Sequence, residues 1–325
     1  MNTTNIALVL GASGGIGGEV ARALVARGWQ VRALNRAPIN APAIAGVSWV
    51  AGDAMRRDDV VAAAEGAALI VHAVNPPGYR DWDKLVLPML ENSIAAARAS
   101  GARILLPGTI YNFGSGSAQP LRETSPQSPS SRKGVIRVRM EVLLREAAGQ
   151  GVRSLVVRAG DFFGPRAGNN WFSQGLVKPG KALGVIDYPG APGAGHSWAY
   201  LPDLAATMVR LVEQEARRAV YEVFHFRGHW DADGTALIAA LRRVTGEPRL
   251  KVRSMPWWLL RVLAPFAVLP RELLEMRYNW DESFELDNTR LLGFIGGETR
   301  TPLDQALRET LEGLGCIERE VYAPA

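Results

Sequence analysis

The segment IALVLGASGGIG, residues 6–17, decides the fold of this chain. Its first five residues are all apolar, as in a strand that is covered on both faces of a parallel sheet. Gly11, Gly14 and Gly17 follow at equal spacing, and residues 19–27 before Gly28 have the pattern of a helix that ends at a glycine. The segment therefore predicts a strand, a glycine-rich turn and a helix, in that order.

The glycine spacing also indicates what this turn binds. Glycine has no Cβ, so backbone amides can approach a diphosphate closely, and the helix N-terminus adds partial positive charge. A second strand is predicted at residues 30–34, where a dinucleotide-binding unit requires it. We expect a nicotinamide dinucleotide on a loop that consists of Gly11, Ser13, Gly14, Gly15, Ile16 and Gly17.

The end of the second strand favours NADP over NAD. An Asp or Glu about 20 residues after the glycines usually binds the free ribose 2′-hydroxyl of NAD. Here the strand ends in Asn35 and Arg36, and a guanidinium is a strong bidentate partner for a phosphate. Ser13 is a candidate second phosphate ligand. The alternative is that Arg36 is only a solvated charge at a strand end.

Repeated strand–helix units continue through the first half of the chain. This alternation predicts an α/β fold, with a doubly wound parallel Rossmann sheet and a smaller C-terminal substrate lobe. We expect the dinucleotide-binding core to span residues 1–165, with 198–228 returning to it, and the substrate lobe to comprise 166–197 and 229–325. The predicted strands after the first two are 47–51, 69–74, 103–107, 153–158 and 220–226, and the predicted later helices are 56–65, 83–100 and 134–149.

With these motifs in order, the chain resembles the extended and atypical short-chain dehydrogenase/reductase superfamily, which includes NAD(P)-dependent sugar epimerases, dehydratases and reductases. The resemblance is carried by residues 11–17, 52–53, 109–114, 158–165 and 200–203. It implies that Asp53 and Ala54 border the adenine, and that His72, Ala73 and Asn75 lie along the middle of the cofactor. It also implies that the segment from Arg158 to Pro165 leads to the nicotinamide and that Thr109 hydrogen-bonds the reacting oxygen.

The chain departs from this superfamily where the catalytic Tyr and Lys are expected. The intervals around Pro129, Gly134 and Glu141 are kept, but Lys133 stands at the Tyr position and Arg137 at the Lys position. Residues four apart share a helix face, so we expect Arg137 to lower the pKa of Lys133 and Lys133 to act as the proton donor. Tyr111 is a rival acid. The alternative is that the substitutions have abolished catalysis.

The predicted substrate lobe favours a substrate other than a nucleotide sugar. In sugar-nucleotide epimerases an Arg usually stands seven residues before the Asp matched here by Asp203, and it binds the substrate diphosphate. This chain has His196, a weaker and pH-dependent anion ligand. Trp171 and Tyr200 in the same stretch suit a less polar substrate, or else are ordinary lobe packing.

Composition limits the remaining classes of protein. The chain has 325 residues, one cysteine (Cys316) and a formal net charge of +5, which excludes a disulfide framework and agrees with a cytoplasmic location. No metal-ligand spacing and no basic run interleaved with aromatics are present, so we expect neither a metal nor nucleic acid. The apolar run at residues 257–269 is too short to span a membrane. We expect it to cover the lobe or form a homodimer contact, with a membrane-surface helix as the alternative.

The sequence therefore predicts an NADP(H)-dependent oxidoreductase that acts on a carbonyl/alcohol pair of a small organic molecule. One alternative is a non-catalytic NADP(H) sensor that acts through a protein partner. Another is a nucleotide-sugar epimerase or dehydratase.

Overall fold

The computed structural model describes residues 5–76, 81–167, 170–214 and 219–318. A parallel sheet of seven strands forms its centre, and five short strands lie beside it in two smaller sheets. The strands are β1 (Ile6–Leu10), β2 (Gln30–Asn35), β3 (Val47–Ala51), β4 (Leu69–His72), β5 (Arg103–Thr109), β6 (Ser154–Ala159), β7 (Asp161–Phe163), β8 (Val185–Tyr188), β9 (His196–Tyr200), β10 (Tyr221–Phe226), β11 (His229–Asp231) and β12 (Lys251–Ser254).

Helices cover both faces of the central sheet. On one face α1 and α5 pack against each other and on β1, and on the other face α2, α3 and α4 pack side by side. The helices are α1 (Gly15–Ala26), α2 (Arg57–Ala63), α3 (Trp82–Ser100), α4 (Arg132–Ala148), α5 (Leu201–Val212), α6 (Ala236–Thr245), α7 (Trp257–Leu263), α8 (Val268–Glu275), α9 (Tyr278–Asp281), α10 (Thr289–Ile295) and α11 (Leu303–Gly313).

The order of strands in the central sheet is β10-β6-β5-β4-β1-β2-β3, and all neighbours are parallel. From β1 the chain first builds outward through β2 and β3, and then returns to place β4 on the other side of β1. This reversal leaves a crevice at the carboxyl ends of β1 and β4, which is where open α/β sheets bind ligands. The predicted α/β fold with a doubly wound parallel sheet is confirmed.

Apolar side chains explain why the strands of this sheet form. Residues 7–10 of β1 and all of β4 and β6 are buried, because helices cover the sheet on both sides. β3, at one edge of the sheet, has no fully buried residue. The sequence placed the central strands correctly to within two residues at each end, since short runs rich in apolar residues mark them.

The smaller sheets belong to a region after β6 that the alternating pattern did not predict in detail. One sheet has the order β11-β9-β7, and the other pairs β12 with β8. They pack with α6 and α11 around a second core that contains Trp198 and Trp280, both almost fully buried. This core lies beside the carboxyl ends of the central strands because β7 begins two residues after β6 ends.

The segment that contains α7 and α8 is not covered by the rest of the protein. No residue of α7 is buried, and the one buried residue of α8 is Glu272. The expectation that residues 257–269 cover the lobe or form a homodimer contact stays a prediction. Trp257 packs against the second core, whereas most of the run is exposed. In the part of the chain that the structure describes, no helix is both long enough and apolar enough to cross a bilayer.

Candidate active site

A cleft of about 560 Å³ opens at the carboxyl ends of the central strands. This volume lies within the range of cavities that bind cofactors and small molecules. The glycine-rich turn forms one end of the cleft, and residues that follow β5 and β6 form the other. The predicted site residues on its wall are Gly11, Ser13, Gly14, Gly15, Ile16, Asn35, Arg36, Asp53, Ala54, Ala73, Asn75, Thr109, Tyr111, Arg137 and Trp171.

The glycine turn leaves no room for side chains at two positions. Gly11 has φ +90°, and a Cβ there would lie 2.5 Å from the carbonyl oxygen of Ala73. A Cβ on Gly17 would lie 2.3 Å from the carbonyl oxygen of Gly11. Gly17 thus allows α1 to pack against the turn and lies outside the cleft wall. The result is a bare backbone turn at the N-terminus of α1, which suits a diphosphate.

Polar groups surround the glycine end of the cleft. The Asn35 side chain accepts a hydrogen bond from the amide of Ala37 at 2.8 Å, and this turn fixes the chain around Arg36. The Arg36 side chain is exposed at the cleft edge. The Asp53 carboxylate accepts a hydrogen bond from the amide of Met55 at 3.0 Å, which stabilises the turn after β3. A cation and an acid therefore stand at the ends of neighbouring strands.

Arg137 projects from α4 into the middle of the cleft wall. Its Nη2 donates a hydrogen bond to the Asn75 side chain over 3.3 Å, and its guanidinium lies 5.2 Å from the centroid of the Trp82 ring. Arg137 is largely buried, so its permanent charge faces the cleft rather than bulk water. This arrangement brings α3, α4 and the segment after β4 together at one point.

A hydrogen-bonded series of side chains forms the other end of the cleft. Thr109, the last residue of β5, caps the turn that contains Tyr111 by accepting a hydrogen bond from its amide at 3.2 Å. The Tyr111 hydroxyl donates to Oδ1 of Asp161 over 3.2 Å. Asp161 Oδ2 in turn accepts from Nε2 of His196 at 3.0 Å. A phenol and a carboxylate are thus hydrogen-bonded to each other on the cleft wall.

His196 lies behind this series rather than on the cleft wall. Its ring stacks on Trp280 at 3.7 Å between centroids and 8° between planes. Trp280 also contacts Trp171 at 5.2 Å, and Trp171 does reach the cleft. His196 is 3% exposed and orients Asp161. His196, named from the sequence as a substrate-lobe residue at the position of a diphosphate-binding Arg, thus does not line the cleft.

Lys133, the predicted proton donor, is not brought to the cleft wall. It lines a neighbouring pocket between α4 and α8, and its Nζ lies 2.8 Å from Oε2 of Glu272. Burial lowers the pKa of Lys133, and Glu272 opposes that shift. Sequence spacing placed Lys133 and Arg137 on one helix face, but only Arg137, one turn further along α4, reaches the cleft.

Three other predicted residues also lie buried away from the cleft wall. Arg158 forms a bidentate ion pair with Glu141, with Nη2 to Oε2 at 2.6 Å. His72 contacts Ser93 through Nδ1 at 2.8 Å, and burial lowers its pKa to about 3. The Tyr200 hydroxyl donates to Glu309 of α11, and burial raises its pKa. These side chains hold the fold around the site together.

Sequence reasoning missed Asp161 as an individual site residue. It lies inside the motif at residues 158–165, yet motif matching drew attention to Arg158 and the glycine. Asp161 could have been identified from its position, because it follows β6 at the carboxyl edge of the sheet, where ligands bind. Its partner His196 comes 35 residues later, and no spacing rule connects the two.

Comparisons with known proteins agree with this geometry. The model of the NAD dependent epimerase/dehydratase family matches residues 7–225. A protein from a Streptomyces species, the 3-diazoavenalumate denitrifying reductase, is 29% identical over 224 residues, which are 64% of this chain and 72% of that protein.

Solved structures resemble the whole chain. A UDP-N-acetylglucosamine 4-epimerase from Bacillus cereus matches with a TM-score of 0.73 and 16% identity, over 99% of both chains. A dTDP-glucose 4,6-dehydratase from Streptomyces venezuelae, solved with NAD bound, has a TM-score of 0.73 and 18% identity, over 95% of this chain and 96% of its own. At these identities the likeness concerns the fold alone.

Proposed function

Since the chain belongs to the NAD dependent epimerase/dehydratase family, we propose that it is an NADP(H)-dependent oxidoreductase acting on a carbonyl/alcohol pair of a small organic molecule. One observation carries the proposal. A single cleft joins a bare glycine turn at one end to the Thr109, Tyr111 and Asp161 side chains at the other. This arrangement supplies a place for a dinucleotide and a proton path within reach of one bound molecule.

The residues present fit a phosphorylated dinucleotide. The turn at Gly11 exposes backbone amides where a Cβ would collide with Ala73, and Arg36 is an exposed cation at the end of β2. In this proposal Arg36 and Ser13 bind the 2′-phosphate, Asp53 and Ala54 border the adenine, and Arg137 with Asn75 orients the ribose. NADP(H), when bound, supplies or accepts the hydride.

Tyr111 is the proton-transferring group in this proposal, and Lys133 is a structural residue of α4. In the oxidation direction the substrate hydroxyl proton passes to the Tyr111 oxygen, while the Tyr111 proton passes to Oδ1 of Asp161. In the reduction direction protonated Asp161 returns that proton. Thr109 orients the reacting oxygen, and His196 holds the carboxylate in place through Oδ2. General acid–base transfer of this kind requires the hydrogen-bond reach seen between Tyr111 and Asp161.

The charge of the cleft favours a substrate without a diphosphate. Among the described residues of the wall, the cations are Arg36 and Arg137, and both are assigned here to the cofactor. The remaining substrate end contains Tyr111, Asp161 and Trp171. A nucleoside diphosphate bound there would face a carboxylate without a neutralising cation. The named activity of the Streptomyces relative, a reductase, supports the same choice.

A second candidate function is a non-catalytic NADP(H) sensor. It is favoured by the replacement of the superfamily's catalytic Tyr by Lys133 and of its catalytic Lys by Arg137. The two functions differ in one measurement. We would add NADPH and a panel of aromatic and aliphatic carbonyl compounds to the purified protein and follow NADPH absorbance. We expect turnover with at least one compound, and turnover at least about a hundredfold slower with the Tyr111→Phe variant. Calorimetry that shows NADPH binding, without turnover of any compound by the parent protein, would support the sensor instead.

A further inference from the structure

The hairpin that consists of α7, residues 264–267 and α8 presents an apolar face to solvent. Phe266 is 86% exposed and Trp258 is 69% exposed. Of the fourteen large hydrophobic side chains exposed in the described part of the chain, seven lie in the twelve residues from 258 to 269. An exposed cluster of this kind marks an interaction surface, because single exposed apolar residues are common but contiguous ones are not.

The hairpin is fixed to the protein by its opposite side. The indole nitrogen of Trp257 donates to the carbonyl of Pro189 at 3.2 Å, and the Arg277 guanidinium lies 5.2 Å from the Trp257 ring centroid. On α8, Glu272 pairs with Arg132 and Lys133 at 3.0 and 2.8 Å. The hairpin thus has an inner side, where Trp257, Leu273 and Glu272 contact the protein, and an outer side, where Trp258 and Phe266 lie in solvent. A helix that only covers a core presents a polar outer side instead.

The exposed charges of the hairpin are positive. Arg261 and Arg271 are exposed, whereas Glu272 is buried and pairs with Arg132 and Lys133, and Glu275 pairs with Arg132. Cations of α4 thus neutralise the two carboxylates of the hairpin. An apolar face flanked by exposed Arg side chains is complementary to an anionic surface with an apolar interior.

We propose that the hairpin docks this protein on an anionic lipid surface, with Trp258 and Phe266 inserted among the acyl chains. Tryptophan and arginine are the residue types that stabilise helices lying at a membrane interface. Helices of seven and eight residues are too short to cross a bilayer and long enough to lie on it. A second copy of this chain is disfavoured as the occupant, because a twofold contact would bring Arg261 and Arg271 of both copies together.

Vesicle co-sedimentation tests the proposal without reference to catalysis. The parent protein is mixed with vesicles of phosphatidylcholine alone, or of phosphatidylcholine with phosphatidylglycerol. We expect binding to the anionic vesicles only, and a loss of binding as salt is raised. Arg261→Glu should weaken partitioning about tenfold or more, since each basic residue contributes roughly a factor of five at such a surface.

Matched variants test whether vesicle binding depends on the hairpin or on exposed apolar residues in general. Trp258→Ser combined with Phe266→Ser should abolish vesicle binding. Ile39→Ser, which removes an apolar side chain that is 94% exposed elsewhere on the protein, should leave binding unchanged. Circular dichroism of all variants checks that they are folded. The proposal would be overturned if the parent protein did not bind anionic vesicles, or if it bound neutral vesicles equally well. It would also be overturned if the protein formed a dimer in solution that Phe266→Ser dissociates.

Discussion

The hydroxyl of Tyr111 donates a hydrogen bond to the carboxylate of Asp161 over 3.2 Å, and this contact connects the end of β5 to the start of β7 across the cleft. If it is the proton path, Tyr111→Phe should lower kcat by about a hundredfold to ten-thousandfold. The dissociation constant of NADP, measured by calorimetry, should stay near the parent value. Tyr278→Phe is the control, because Tyr278 also donates a hydrogen bond from a half-buried ring but lies outside the cleft wall.

Asp161→Asn tests the carboxylate separately from the phenol. The amide can keep hydrogen bonds to Tyr111 and His196, yet it cannot take up a proton. We therefore expect kcat to fall with little change in KM, and the pH dependence of kcat to change shape. A parent-like pH profile in this variant would exclude Asp161 from proton transfer.

The ion pair between Lys133 and Glu272 should affect stability more than turnover. Both side chains are buried, with 4% and 9% of their surface exposed. Lys133→Met leaves the buried Glu272 with Arg132 as a partner but removes one charge-assisted contact, so it should lower the free energy of unfolding by about 1–3 kcal/mol in urea titrations. The double variant Lys133→Met with Glu272→Leu should regain much of that loss. If Lys133→Met lost turnover but kept the stability of the parent protein, Lys133 would again be assigned as the proton donor.

Arg36 should determine the choice between NADP and NAD. Losing one charge-assisted contact to a phosphate costs about 1.5–3 kcal/mol, so Arg36→Ala should weaken NADP binding roughly tenfold to a hundredfold. NAD, which lacks that phosphate, should bind the variant and the parent alike. Arg57→Ala is the control, because Arg57 is an exposed Arg outside the cleft wall. An equal loss for both dinucleotides would contradict the assignment.

Three buried histidines should make the fold sensitive to mild acid. Burial lowers the pKa of His72 and His225 to about 3 and that of His229 to about 4, from 6.5. The unfolded chain therefore binds these protons below pH 6.5, whereas the folded protein does not until pH reaches about 4. Each histidine should lower the free energy of unfolding by about 1.4 kcal/mol per pH unit across that window.

Buried acids oppose part of this loss. Burial raises the pKa values of Asp203 and Glu298 in the folded protein, so these groups favour the folded state as pH falls. Urea midpoints at neutral pH and near pH 5 measure the net slope. His72→Gln should reduce the slope of the free energy of unfolding against pH by about 1.4 kcal/mol per pH unit, which is the contribution of one proton. A slope that this substitution leaves unchanged would show that His72 is not neutral in the folded protein.

The end of the cleft at the glycine turn could be predicted from the sequence, because neighbouring residues define it. The turn at Gly11 and the end of β2 at Arg36 lie next to the strands that position them. The end at Tyr111 could not be predicted in this way, because Tyr111, Asp161 and His196 come from three separate parts of the chain. The family resemblance placed Lys133 at the catalytic Tyr position, and helix spacing placed it on one face of α4 with Arg137. Neither gave information about how α4 is rotated against its neighbours.

The sequence alone determined the strand–turn–helix unit at residues 6–26, the parallel sheet and the bare glycine turn at its carboxyl edge, since apolar runs and glycine spacing are properties of neighbouring residues. Only the tertiary structure decided that Lys133 pairs with Glu272 and that Asp161 meets Tyr111. It likewise decided that the apolar run at 257–269 faces outward. Such contacts depend on how whole helices and strands pack together, and residues far apart in the chain carry no local signal of that packing.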